Sequence, residues 1–188
     1  MKPSDYERFL DLFEKWNRSI NLSAASTRAE IALHVEDSLH VVPHLGAAGA
    51  SSETDSTRPL RVLDVGSGGG FPVVIAALAL PSVQFVSLEP VHKKQAFLKT
   101  AARELGLPNL EARAERLDDH AHRDYDVAMS RATFALDGWI AMGLDRVRIG
   151  GVVLGFEAQL RSALDGIERD EYAIDGKPRA IVVKRRLA

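Results

Sequence analysis

An aspartate and three alternating glycines, Asp64-x-Gly66-x-Gly68-x-Gly70, stand at the end of the short apolar run Leu60 to Val65. Bare backbone lets a ligand come close to the main chain, and an acid two residues upstream can meet a cationic amino group. The loop is not a dinucleotide fingerprint, because Phe71 stands at the third position, where helix and strand must close up on a tiny residue. It is not a phosphate-binding P-loop either, since no Gly-Lys-Ser/Thr follows. A second acid, Glu89, ends the next apolar run, Val83 to Leu88, and there a carboxylate can accept two hydrogen bonds from a ribose diol. A ligand with both an ammonium group and a ribose fits S-adenosylmethionine better than a pyrophosphate. Any strand-to-helix turn can be rich in glycine; the two acids around this one carry the reading.

These residues need a scaffold, and the pattern of the chain predicts one. Ser4 with Glu7 reads as a capping box, and Tyr6, Phe9, Leu10, Phe13, Trp16 and Ile20 follow at helical spacing. Thr27 with Glu30 opens a second helix that Pro43 should stop. Residues 46–59 are small, polar and aperiodic, which predicts a flexible connection between helices in 1–45 and an α/β core in 60–188. Within that core the expected order is strand 60–65, helix 72–80, strand 83–88, helix 92–105 capped by Gly106, strands 109–114 and 126–130, helix 136–147, strand 151–156 and helix 159–167. Residues 172–183 then form a hairpin turning at Asp175-Gly176, a signal weakened by Pro178. Such alternation makes a single-domain, doubly wound, mostly parallel seven-stranded sheet with an antiparallel edge hairpin. Ligands of such sheets bind outside the carboxyl ends of the strands, where Asp64, Glu89, Ala114-Glu115 and Ser130-Arg131 all fall.

Composition removes several chemistries. The 188 residues include no cysteine, which excludes disulfides, thiolate nucleophiles and cysteine-ligated metals. No apolar stretch approaches the ~18 residues of a membrane span, and Met1 to Glu7 lack a signal region, so a soluble cytoplasmic chain is expected. The formal net charge of −2 does not announce a nucleic-acid partner. Cations nevertheless gather at Lys93, Lys94, Lys99 and Arg103, and in a tail with Lys177, Arg179, Lys184, Arg185 and Arg186.

The sequence resembles the GidB (RsmG) family, bacterial small-subunit rRNA guanine-N7 methyltransferases with a class I methyltransferase fold. The matching residues run in family order over nearly the whole chain. They are Trp16-Asn17 with Asn21-Leu22-Ser23, His34 with Asp37-Ser38-Leu39, Leu63 to Pro72, Lys93-Lys94 with Phe97-Leu98, and Glu104 to Leu107 with Asn109. Arg113-Ala114-Glu115 and Ser130-Arg131-Ala132 complete the set. The resemblance implies that Gly66 and Phe71 contact S-adenosylmethionine, that Ala114 and Glu115 flank its adenine, and that Arg131 reaches the active pocket. It further implies 16S rRNA in the small subunit or its precursor as the partner; a monomer without membrane or metal is expected. The chain departs from the family pattern at Val73-Val74, where Gly-Ile is usual, and at Glu157-Ala158, where a Lys-Gly pair is usual.

Residue types also favour this reaction over its relatives. Carbon-5 methylation of pyrimidines proceeds through a cysteine adduct, and exocyclic amines are methylated beside an Asn/Asp-Pro-Pro-aromatic loop. This chain has no cysteine and carries Ser130-Arg131-Ala132-Thr133-Phe134 after its fourth strand. Guanine N7 needs neither device, because its lone pair lies in the ring plane and no proton must leave. A rRNA-binding assembly factor without turnover and a small-molecule methyltransferase on the same scaffold are the alternatives. His34, Asp37 and Ser38 lie within about one helical turn, which suits a polar network between the helices and the core better than a hydrolase triad. His40 and His44 have metal-ligand spacing, but Pro43 intervenes and no third ligand follows. Phe13 and Trp16 are expected in the core.

Overall fold

The computed structural model describes residues 3–50, 58–158 and 166–188. Three helices lead in: α1 (Pro3–Ile20), α2 (Arg28–Leu39) and α3 (Val42–Ala50). The core follows as β1 (Arg61–Val65), α4 (Val73–Ala79), β2 (Gln84–Leu88), α5 (His92–Leu105), β3 (Leu110–Arg113), β4 (Tyr125–Ser130), α6 (Leu136–Leu144), β5 (Val147–Glu157), β6 (Glu168–Ile174) and β7 (Lys177–Arg185). The strands form one sheet in the order β3-β2-β1-β4-β5-β7-β6; β1 to β5 run parallel, and β7 is antiparallel to both its neighbours. Strand order therefore reverses between β1 and β4, and the carboxyl ends of these two strands frame a ligand crevice.

Most element types agree with the periodicity, and the exceptions have local causes. Proline is tolerated in a first helical turn, where its missing N–H is no loss. Hence α1 starts at Pro3 and contains Ser4, and Pro43 sits at the start of α3 instead of ending the lead-in. That third helix carries residues 46–50, where a flexible connection is expected; 51–57 lie outside the described residues. At α2 the capping box forms as expected: Thr27 Oγ1 accepts from Glu30 N at 3.2 Å, and Glu30 Oε2 accepts from Thr27 N at 3.1 Å. The helix expected over 136–147 ends at Leu144, and β5 starts at Val147, extending the strand that glycines at 150 and 151 obscured. The helix expected over 159–167 falls almost wholly outside the described residues.

The hairpin shows why Pro178 is harmless. Asp175 (φ 50°) and Gly176 (φ 69°) make a two-residue turn, and Ile174 pairs with Lys177. The next pair, Ala173 with Pro178, is one whose main-chain nitrogens point away from each other. On its other side β7 meets β5 only from Ala180 onward, so proline removes no ladder bond.

Apolar side chains cover both faces of the sheet. On one face Phe9 and Phe13 of α1 enter a cluster with Phe71, Val74 and Phe97; Phe13 and Phe97 meet edge-to-face at 5.9 Å. Trp16, half-buried, packs edge-on against Phe97, so Phe13 lies in the core as expected and Trp16 at its edge. On the other face Trp139 and Ile140 of α6 cover Leu63, Val65 and Val153. The lead-in helices are thus part of the same core as the glycine loop.

Candidate active site

The glycine loop leaves β1 over a buried acid. Asp64 is 1% exposed; one carboxylate oxygen accepts from Ser67 Oγ, and Oδ1 has no partner. Burial, with the charge of Glu89 adding to it, pushes the Asp64 carboxyl up to about 7. Glu89 ties the loop to the start of α5: Oε2 accepts from Gly68 N at 2.8 Å and Oε1 from Val91 N at 2.9 Å. Each of those oxygens keeps a further lone pair for a ligand. Two glycines are needed for opposite reasons. A Cβ on Gly66 (φ +77°) would lie 2.1 Å from Thr133 Oγ1, whereas one on Gly68 (φ +51°) would meet nothing closer than 3.8 Å. Gly66 gives room to a protein side chain, and Gly68 presents bare backbone to the crevice. An orphaned acid oxygen beneath an open glycine cradle fits a cationic nucleoside.

Across the crevice stands Arg131, just after β4. Its Nε lies 2.9 Å from Asp37 Oδ2 in an ion pair, and its Nη2 donates to His34 Nδ1 at 2.7 Å. Arginine has no acceptor, so His34 Nδ1 must be the acceptor and the ring neutral; burial and the Arg131 charge hold its pKa below the usual value. Tyr172 Oη donates to Asp37 Oδ1 at 2.8 Å. The guanidinium lies 5.8 Å above the Phe71 ring and 5.9 Å from that of Phe156. The three neighbours His34, Asp37 and Ser38 form no triad, because Ser38 Oγ donates to its own helix at His34 O and the other two serve Arg131.

Two cavities of about 430 Å³ each meet at this arginine, sharing Ser23, His34 and Arg131. The first is lined by Gly66 to Gly69, Phe71, Glu89, Lys94 and Thr133. The second lies under the hairpin, with Asp37, Lys177 and Arg179 on its wall. The structure thus brings Gly66, Gly68, Phe71, Glu89 and Arg131 together. Asp64 and Gly70 lie outside the lining residues, Gly70 against Val74 of α4. Ala114 and Glu115 line a separate hollow of about 780 Å³ between α5 and β3. There Glu115 bonds His120 Nδ1 at 3.0 Å, and His120 Nε2 is 2.8 Å from Tyr125 Oη.

Other expectations are redistributed. The basic tail is split: Lys177 and Arg179 face the second cavity, while Lys184, Arg185 and Arg186 bond main-chain carbonyls of Gly166, Gly150 and Val147. Glu157, in place of the usual lysine, is a buried partner of Arg169 Nε at 2.8 Å and does not form an exposed acidic patch. His40 stacks on Tyr172, and His44 bonds Asp170 at 3.1 Å. No cluster of three or more His, Asp or Glu able to hold a metal occurs among the described residues. Thr133, which covers Gly66, gave no signal in the sequence, and Tyr172 gave none beyond being an aromatic in a strand.

The family model for rRNA small subunit methyltransferase G (GidB) matches residues 3–181. A ribosomal RNA small subunit methyltransferase G from Nitrosospira multiformis is 42% identical over 127 residues, 66% of this chain and 53% of that protein. The one from Bordetella avium is 33% identical over 179 residues, covering 95% of this chain and 74% of its own length. The matched part of the chain therefore spans about half to three quarters of these relatives. Among solved structures, human methyltransferase 10 domain containing protein superposes with a TM-score of 0.66 at 13% identity, covering 100% and 99% of the two chains. Magnesium protoporphyrin IX methyltransferase from Synechocystis PCC 6803, solved with bound SAM, gives 0.64 at 15% identity and 97% of each chain. The fold is that of the class I methyltransferases, and the chain belongs to the rRNA small subunit methyltransferase G (GidB) family.

Proposed function

We propose that this chain transfers the methyl group of S-adenosylmethionine to N7 of one guanine in 16S rRNA, in the small ribosomal subunit or its precursor, acting as a cytoplasmic monomer. One observation carries the reading: Arg131 and His34 form a shared wall between a glycine-lined cavity and a second cavity bearing Lys177 and Arg179. Donor and acceptor sites for a transfer must abut in this way, since the reacting atoms have to meet at about 3–3.5 Å.

On the donor side, Asp64 Oδ1 receives the ammonium group and Glu89 the ribose diol. Gly66, Gly68 and Phe71 make the bed, Gly70 shapes the turn behind it against Val74, and Ala114 and Glu115, at the end of β3 beyond β2, flank the adenine. The donor supplies a methyl on a sulfonium, which departs as a neutral thioether. The N7 lone pair forms the new C–N bond while the C–S electron pair stays on sulfur, so positive charge passes from sulfur to the purine. No proton leaves, and no general base is required; His34 Nδ1 is already committed to Arg131. Arg131 holds the nucleotide through phosphate or O6, because a bond to N7 would occupy the attacking lone pair. Its pairing with Asp37 leaves little net charge to oppose the charge arriving on the base.

The test is mass analysis of digested 16S rRNA after incubating small subunits with the protein and S-adenosylmethionine. One new N7-methylguanine is expected; unmodified rRNA with a folded, donor-binding protein would overturn the reading. Arg131→Ala should lower the rate about 100-fold. RNA affinity should fall steeply with added salt, and a flat response would remove the cationic cavity from the acceptor site. Among the described residues no helix is long and apolar enough to cross a membrane.

A further inference from the structure

We propose that Tyr172 is a positioning residue for Arg131: its hydroxyl occupies the Asp37 oxygen that a forked pair with the arginine would use, which holds the guanidinium turned toward the acceptor cavity. The proposal rests on the function assigned above to Arg131.

A carboxylate beside a guanidinium ordinarily closes to two parallel N–H···O bonds. Here that fork is absent, and the closest approach is an ion-pair contact. Nε of Arg131 meets Asp37 Oδ2 at 2.9 Å, while Nη2, the group that would complete the fork, goes to His34 Nδ1 at 2.7 Å. The oxygen that would have received it, Oδ1, is taken by the Tyr172 hydroxyl at 2.8 Å. Tyr172 comes from β6, 135 residues after Asp37, and its ring is clamped by His40 at 3.8 Å between centroids and 14° between planes. Asp37 is 6% exposed, so water does not compete freely for its oxygens. Burial and the adjacent Asp37 charge push the Tyr172 hydroxyl well above the usual tyrosine range, and it remains a donor throughout the working pH range.

Removing that one hydroxyl oxygen releases Oδ1. The Asp37–Arg131 pair then closes to its two-bond form, Nη2 leaves His34, and the guanidinium plane turns with it. Nη1, which bonds no described group, turns with it. A strand outside the glycine region thereby sets the aim of the residue between donor and acceptor.

Tyr172→Phe in the full chain tests this, with two readouts. In the 15N NMR spectrum, the His34 Nδ1 resonance should move toward that of an unbonded ring nitrogen. In methyl transfer to small subunits, kcat should fall about tenfold with the Kd for S-adenosylmethionine unchanged. The melting temperature should fall only slightly, because the tightened ion pair offsets part of the two lost bonds, Tyr172 to Asp37 and Arg131 to His34. A merely structural tyrosine predicts the reverse, markedly lower stability with proportionate loss everywhere. Asp37→Asn provides the second variant: Tyr172→Phe added to it should cost nothing more, as the tyrosine acts through Asp37. A wild-type His34 signal in Tyr172→Phe, an unaltered kcat, or losses that add in full would each overturn the proposal. If the wild-type protein leaves rRNA unmethylated, the function reading fails, and the His34 signal still decides the role of Tyr172.

Discussion

Two buried aspartates on adjacent strands have opposite circumstances. Asp126, 4% exposed at the amino end of β4, accepts from Arg58 through both oxygens (2.7 and 2.9 Å), from Arg61 N at 2.8 Å and from Arg148 Nε at 2.7 Å. Burial pushes its pKa up, but the bonds from Arg58 and Arg148 outweigh that and hold it below the usual carboxylate value. Asp64, at the carboxyl end of β1, accepts a hydrogen bond from Ser67 and has an orphaned Oδ1 and a pKa of about 7. Satisfied burial at one end of the sheet stabilises the fold. Unsatisfied burial at the other end is a cost the fold carries for a cation that arrives with the ligand.

The largest expected effect is on binding. Asp64→Asn should weaken S-adenosylmethionine about 50-fold by calorimetry, the worth of one hydrogen bond to a charged group, while raising the melting temperature at pH 8. An unchanged affinity would erase the contrast between the two acids. Asp126→Asn should do the opposite: donor affinity stays the same and stability falls by about 2 kcal/mol, since Arg58 and Arg148 lose their shared counter-charge.

Acidity sharpens the same contrast. The native pKa of Asp64 lies above the unfolded value of about 3.9, so its contribution to stability is full below pH ~4 and lost as pH rises through 7. Asp126 has a depressed native pKa, so its contribution is present above pH ~4 and lost on acidification. Stability curves of wild type minus each asparagine variant should therefore slope in opposite senses, the Asp64 curve falling between pH ~4 and 7 and the Asp126 curve rising up to pH ~4 and flat above it. Donor affinity should also decline below pH 7, by at most tenfold per unit, as Asp64 must lose its proton to receive an ammonium group. Smallest of all, Gly68→Ala should cost about 1 kcal/mol of stability from its left-handed backbone. The same change on Gly66 should cost more, because it also collides with Thr133.

Local features were legible in the sequence where one residue type has one physical use. Helix 92–105 with Gly106 as its left-handed cap agrees to the residue, and Asp175-Gly176 turns as its composition requires. Pro43 was misleading because proline both ends helices and begins them, and spacing alone does not choose. The acids around the glycine loop were legible by type, but not the degree of burial that makes Asp64 unusual. Nor could any local pattern show that Arg131 is held by His34 and Asp37, or that Asp37 is bonded in turn by Tyr172 from β6. Ala114 and Glu115 come from the resemblance, and no local pattern could show that β2, standing between β1 and β3, sets their hollow apart from the loop's cavity.

Gly69 lies against Phe13: a Cβ there would come within 2.6 Å of the ring. The same turn that must stay naked for a nucleoside is therefore shouldered from behind by the first helix. Shaving off that helix would slacken the donor's seat as surely as a change within it, and loading the seat should slow amide exchange as far away as residues 9–13.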